Sequence, residues 1–225
     1  MASTEFPLVI FDCDGVLVDS EPISFAVLRE TLTSVGVELE ESHAYRQFLG
    51  KSMASITRMI AEEFKISLSE DHIEAMRTQL FARFQAELQP VAGVAEMLRD
   101  LDRPRCVASS SQMERIRLSL TKTGLIDFFE PNIFSATMVE RGKPEPDLFL
   151  HAADVMGFTP DRCIVIEDSP AGIQAAHSAG MKVFAFTGGS HAALSNLREI
   201  VVGLKPTVIF DDMKSLPALI DTVKA

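Results

Sequence analysis

The chain is short of basic charge, of cysteine and of long apolar runs. Among its 225 residues, 21 lysines and arginines face 32 aspartates and glutamates, a net charge of −11. That deficit excludes a general surface for nucleic acid or anionic lipid, each of which needs a basic face. It leaves room for a small anionic substrate, because one bound divalent cation can dominate a local field. No run of apolar residues approaches the length of a membrane span. Met1 to Glu5 place no basic region ahead of an apolar stretch, so no secretory signal is expected. The cysteines are Cys13, Cys106 and Cys163, odd in number, far apart, and each in or beside a predicted strand. Such a set argues against a disulfide frame or a zinc site and for reduced, buried thiols of a cytoplasmic protein. The chain shows no internal repeat and no low-complexity segment.

What is present is a hydrophobic fraction of 47%, enough for a proper core. Short, nearly continuous apolar runs predict strands at Leu8–Asp12, Arg105–Ser109, Cys163–Glu167, Lys182–Phe186 and Thr207–Phe210, with a weaker one near Asn132–Ser135. Most are followed by a helical pattern. Strands of this kind alternating with helices predict an α/β fold with a parallel sheet covered on both faces. Ser169-Pro170 opens one helix and Gly180 ends it, with Ile173, Ala176 and His177 marking one face. Another helix begins near Pro146, buries Leu148, Phe149, Ala152 and Val155, and stops at Gly157.

The first two strands are separated by far more chain than a simple crossover needs, and a structureless loop of that size is implausible. The intervening sequence carries three helical stripes: Phe25, Leu28, Leu32 and Val35; Met53, Ile56, Ile60 and Phe64; Ile73, Met76, Leu80 and Phe84. Ser67 and Glu70 have capping-box spacing ahead of the third. Residues 18–88 therefore read as a helical domain inserted into a core of residues 1–17 and 89–225, with Gln89-Pro90-Val91-Ala92-Gly93 as the return hinge. An insertion at that point lies over the carboxyl ends of the strands, where open α/β sheets bind ligands, and is a candidate lid.

The strongest local signal is Asp12-Cys13-Asp14-Gly15 at the end of the first strand. Residues i and i+2 of an extended chain share a face, so both acids aim at one point. Two like charges that close need a cation or a shared proton. This points to a metal site with a nucleophilic carboxylate and a second carboxyl for proton transfer. An Asp-Gly polar turn is the plainer alternative. Cys13 alternates with the acids and should point away from them.

Three further segments end on the same side of the sheet. Ser109-Ser110-Ser111-Gln112 offers hydroxyls and N–H groups to phosphate oxygens at a helix N-terminus, or simply caps that helix. Gly142-Lys143-Pro144 sets a lysine in a stiff loop. Glu167-Asp168 ends the fourth strand, and since neighbours on a strand face opposite ways, at most one of the two joins Asp12 directly.

In this order the four motifs, Asp12–Ser20, Ser109, Lys143-Pro144 and Glu167–Gly172, resemble the haloacid-dehalogenase superfamily of hydrolases, in its branch of sugar-phosphate phosphatases and β-phosphoglucomutase-like proteins. The resemblance covers essentially the whole chain. It implies a Rossmann-like core with an inserted α-helical cap domain, and hydrolysis of a small phosphorylated metabolite. By the same resemblance Asp12 attacks phosphorus to form an aspartyl-phosphate, and Asp14 protonates the leaving alcohol and then activates water. Asp12, Asp168 and the backbone carbonyl of Asp14 hold Mg²⁺, with Glu167 touching the ion or supporting its ligands. Ser109 and Lys143 bind the transferring phosphoryl group, and Gly15, Ser110, Ser111, Gln112 and the cap residue Lys51 complete the substrate-binding set. Closure of the cap over Asp14 is expected to raise its pKa.

Two departures favour hydrolysis over the mutase alternative. Mutases of this kind carry a histidine where Ser24 stands, and a cap-loop arginine where Met53 stands. Gly50-Lys51-Ser52 lacks the glycine and the preceding strand of a nucleotide-binding loop. A non-catalytic binding or regulatory module is a further alternative, opposed by the survival of the whole catalytic set. No obligate protein partner is evident. His43, His72, His151, His177 and His191 fall outside every motif and read as surface or boundary residues, and Thr187–His191 reads as a mobile loop.

Overall fold

The computed structural model describes residues 7–40, 48, 53–192 and 196–223. Six parallel strands form one sheet: β1 (Leu8–Phe11), β2 (Arg105–Ser109), β3 (Ile133–Ser135), β4 (Cys163–Glu167), β5 (Lys182–Phe186) and β6 (Val208–Phe210). Their order across the sheet is β3-β2-β1-β4-β5-β6. β1 is central, with Ile10 opposite Cys106 on one side and Val165 on the other. The near-continuous apolar runs form these strands because both faces are covered: every residue of β1 and of β4 is buried. The predicted α/β architecture is the observed one.

Helices α1 (Glu21–Ser34), α2 (Met53–Phe64) and α3 (Glu70–Glu87) lie between β1 and β2 in the chain. α1 and α3 pack together. Their apolar stripes turn inward, with Leu32, Ile60 and Phe84 fully buried. The start of α3 differs from expectation. Its N-cap is Ser69, whose hydroxyl accepts from the His72 N–H, rather than a box of Ser67 and Glu70. The chain leaves the sheet and returns to it side by side: Asp19 N–H donates to the Gln89 carbonyl at 3.0 Å, and Val91 N–H to the Leu17 carbonyl at 3.0 Å.

The remaining helices are α4 (Val94–Asp100), α5 (Met113–Lys122), α6 (Asp147–Met156), α7 (Pro170–Ser178), α8 (Leu197–Gly203) and α9 (Leu216–Thr222). α7 is capped by Ser169, whose Oγ accepts from the Gly172 N–H at 3.0 Å. Two helix-face expectations need correction. Val155 is 57% exposed, because the buried face of α6 runs through Leu148, Phe149, Ala152 and Ala153. His177 is exposed, because Ala175 and Ala176 fill the buried face of α7.

With Ile10 wholly buried between two strands, Ile10→Ala should destabilise the protein by about 2–5 kcal/mol and Ile10→Val by about 0.5–1.5 kcal/mol in urea unfolding. Equal, negligible losses in both variants would mean that β1 is not the centre of the core.

Candidate active site

Strand order reverses between β1 and β4, and a crevice opens at the carboxyl ends of strands at such a point. Asp12 follows β1 and Asp168 follows β4, so the two carboxylates flank it. Asp12 is pinned by its own N–H, which donates to the Ile166 carbonyl at 3.0 Å. Its Oδ1 accepts from Lys143 Nζ at 2.8 Å. The same ammonium donates to Glu167 Oε1 at 2.7 Å and to the Ala108 carbonyl at 3.0 Å, so all three of its protons are used. Burial opposes the charge on Lys143, but Asp12 and Glu167 outweigh it and hold the ammonium above its ordinary pKa. Burial pushes the Asp12 carboxyl well up, against the pull of Lys143 and with the repulsion of Glu167 and Asp168.

Glu167 is fully engaged. While Oε1 receives Lys143, Oε2 accepts from the N–H groups of Asp168 and Ser169 and from the Ser169 hydroxyl, at 2.9, 2.8 and 2.9 Å. A Cβ on Gly172 would stand 1.7 Å from Oε1, so only glycine leaves room for this carboxylate. Asp168 is buried, and that burial raises its pKa. Its Oδ2 stands 3.1 Å from Nε2 of His191. Asp12, Glu167 and Asp168 each present an oxygen within 4.8 Å of the others. Hard oxygen donors in a buried, acid-rich pocket fit a divalent cation such as Mg²⁺.

Asp14 lies on the other flank. Its Oδ1 accepts from Ser20 Oγ at 2.7 Å and Arg115 Nη2 at 2.8 Å, and its Oδ2 from Ser111 Oγ at 2.7 Å. Burial raises its pKa, but Arg115 and the two hydroxyls prevail and hold the carboxyl below the usual range. This reverses the expected direction. The reversal comes from Arg115 on α5, which no sequence motif marks.

Ser109, Ser110 and Ser111 line the crevice with Asp12, Asp14 and Lys143. Ser109 is buried, and its Oγ accepts from the Ser111 N–H at 3.1 Å. Gln112 is exposed and faces a neighbouring cavity. Gly15 adopts φ +78° and packs against the metal-side groups rather than the cavity wall. A Cβ there would lie 2.0 Å from Asp168 Oδ2. Lys51, with Gly50 and Ser52, lies outside the described residues, as does His43. Above the acids the cavity has apolar walls that include Phe25, Leu28, Ile56 and Leu80 from α1 to α3.

Sequence reasoning missed three residues here. Arg115 sits three positions beyond the serine segment, and a basic residue in an amphipathic helix looks like a solvated one. Glu21, in the first turn of α1, is buried in the cavity and pushed up to about 7 by that burial. His191 is completely buried, not a surface residue. Its loop is anchored, with Ser190 Oγ donating to Asp19 Oδ1 at 2.7 Å. The glycines ahead of it were the available signal: a Cβ on Gly189 would stand 2.6 Å from the His191 ring.

Comparison with known proteins agrees with this geometry. A family model described as haloacid dehalogenase-like hydrolase matches residues 9–186. The 6-phosphogluconate phosphatase of Escherichia coli is 32% identical over 184 residues, spanning 81% of this chain and 83% of that protein. A fructose-1-phosphate phosphatase of the same organism is 32% identical over 178 residues, 77% of this chain and 92% of that one. The crystal structure of a haloacid dehalogenase-like protein of unknown function from Agrobacterium tumefaciens superposes with a TM-score of 0.85 at 37% identity, covering 96% of this chain and 98% of that one. With its parallel sheet, its acids at the point of strand reversal and these relatives, the chain belongs to the haloacid dehalogenase-like hydrolases and is a phosphoric monoester hydrolase.

Proposed function

We propose that the protein is a cytoplasmic, Mg²⁺-dependent phosphatase of small phosphorylated sugars or sugar acids that works through an aspartyl-phosphate on Asp12. The observation that carries the reading is the Lys143 ammonium, which holds Asp12 by one oxygen at the floor of the cavity beside Asp14 and Asp168. Support for the substrate class comes from the two Escherichia coli relatives, whose names specify 6-phosphogluconate and fructose 1-phosphate. No helix among the described residues is long and apolar enough to cross a membrane.

In this reading residues 1–17 and 89–225 form the catalytic core and residues 18–88 a cap over it. Lys143 and the Ser109–Ser111 segment hold the phosphoryl oxygens. An Asp12 oxygen attacks phosphorus as the ester P–O bond breaks, and the leaving oxygen takes a proton from Asp14. Water then attacks phosphorus and gives its proton to Asp14. The Asp12–phosphorus bond breaks, releasing inorganic phosphate and restoring the carboxylate. In the arrangement described, Asp14 is held ionised, the form that accepts the proton of the attacking water. Entry of a phosphate dianion beside it pushes its pKa back up, toward the form that donates. Asp12, Asp168 and the main-chain carbonyl of Asp14 would hold Mg²⁺, which supplies charge neutralisation for the phosphoryl group. Glu167, with both oxygens engaged, orients Lys143 and the turn that carries Asp168. Ser24, at the position where mutases carry histidine, accepts from Arg115 Nη2 at 3.2 Å, which favours hydrolysis over isomerisation.

Phosphate release from a panel that includes 6-phosphogluconate, fructose 1-phosphate and glucose 6-phosphate should be strong with Mg²⁺ and lost with chelator. Isomerised esters in place of free phosphate would favour a mutase. Asp12→Asn should fold normally and lose at least about 10³-fold in kcat. Near-normal turnover in that variant would exclude the aspartyl-phosphate route. Because His191 touches Asp168, His191→Asn should weaken Mg²⁺ binding about 10–100-fold in calorimetry of the folded protein. An unchanged affinity would detach His191 from the metal.

A further inference from the structure

Arg115 is the feature of the cavity that phosphoryl transfer does not use up. It rises from the first turn of α5 into the seam between the sheet side and the helices that cover it. Its guanidinium lies 5.0 Å from the centroid of Phe84, a fully buried residue of α3. Nη2 alone makes both polar contacts, to Asp14 Oδ1 at 2.8 Å and to Ser24 Oγ at 3.2 Å. Nε is buried and has no partner. A buried donor of this kind costs free energy until it is met, so it favours a ligand that brings an acceptor. Both N–H groups of Nη2 serve Asp14 and Ser24, so Nε–H is the donor left for an incoming carboxylate oxygen, beside a guanidinium whose full charge attracts it.

The surroundings narrow what can arrive there. Among the described residues lining the cavity, Lys143 and Arg115 are the two basic ones. Lys143 lies on the floor beside Asp12, where the reading above gives it the phosphoryl group. Met76 and Leu80, which line both cavities together with Arg115, are apolar and raise the strength of any charge pair formed beside them. Glu21 shares the cavity, but with its pKa near 7 it meets an incoming anion partly as a neutral acid.

Distance fits as well. An ester oxygen bonded to Asp14 lies two hydrogen bonds and one carboxyl width from the guanidinium, roughly 6–8 Å at full stretch. A chain of a few carbons spans that interval.

We infer that Arg115 is a specificity-determining residue that receives a carboxylate at the non-phosphorylated end of the substrate, so that the preferred substrates are phosphate monoesters of small hydroxy acids rather than of neutral sugars. This inference rests on the phosphatase reading above and narrows its substrate class.

Because Arg115 also contacts Asp14, its removal slows every substrate, and the informative quantity is a ratio. The wild-type protein should hydrolyse 6-phosphogluconate at least about 10-fold better in kcat/KM than glucose 6-phosphate, the effect of one charge-assisted hydrogen-bonded pair. In Arg115→Met the ratio should fall to about 1, with the difference appearing in KM. Arg115→Lys, which keeps the charge but not the fork, should retain part of the preference. Gluconate without its phosphate should inhibit the wild type competitively and Arg115→Met much more weakly. Thermal melts check that each variant is folded.

If the wild type shows no preference for the acid, or if both variants keep its ratio, Arg115 is only a positioning residue for Asp14 and the inference is overturned. The wild-type comparison stands even if neither variant folds. Absence of phosphate release from every ester, with Mg²⁺ bound, overturns the phosphatase reading instead.

Discussion

One ammonium group organises the end of the sheet. Lys143 reaches in from the loop after β3 and joins the carboxylate that ends β1, the carbonyl of Ala108 in β2 and the carboxylate that ends β4. Its side chain is 2% exposed, so these three acceptors replace the water of the ammonium. Without a cation there, Asp12, Glu167 and Asp168 would be three buried acids within a few ångströms of one another, an arrangement that folding alone would oppose. The loop that delivers Lys143 is itself tethered: Arg141 makes paired bonds to Asp147 at the start of α6. The acids keep a surplus of negative charge even so, and burial, with that surplus adding to it, raises the pKa of Asp12 and Asp168. A divalent cation and a dianionic substrate enter such a site as complements to each other.

The two carboxylates of the opening motif then diverge through their neighbours. Asp12 has one cation, shared with Glu167, and its charged form is strained. Asp14, two residues on, has a guanidinium and two hydroxyl donors, and its charged form is favoured. Two acids with opposite shifts on one turn are suited to different tasks, bond formation for one and proton movement for the other.

Much of this was legible in the chain, and for identifiable reasons. Strands such as Arg105–Ser109 and Cys163–Glu167 fall where the sequence placed them, because a parallel sheet buried on both faces keeps strand middles apolar, here Cys106–Ala108 and Ile164–Ile166. That helices fill the long interval between β1 and β2 was legible from spacing. Side chains that act across the fold were not. Arg115 meets Asp14 at a separation of 101 positions. His191 meets Asp168 only because Gly15 and Gly189 leave space for it. In both cases the local sequence describes a surface residue, and tertiary burial overrides it. Val155 errs in the opposite sense. Its apolar character fits the α6 stripe by spacing, but the buried face is already complete with Ala152 and Ala153, and Val155 turns to solvent.

The histidine and the arginine hold mirrored positions. Each is drawn from outside the four motifs, and each grips one acid of the pair that flanks Asp12. His191 leans on Oδ2 of Asp168, the oxygen that Gly15 must approach without a side chain. Arg115 leans on Oδ1 of Asp14. The difference lies in their surroundings. Gly15 and Gly189 close tightly around His191, which faces the Asp168 carboxylate. Arg115 stands at the wall shared by two cavities with a donor unspent. On the inference drawn above, the motif residues and their props carry the chemistry of this site, while selectivity among substrates falls to Arg115, placed where the polar floor meets the apolar ceiling.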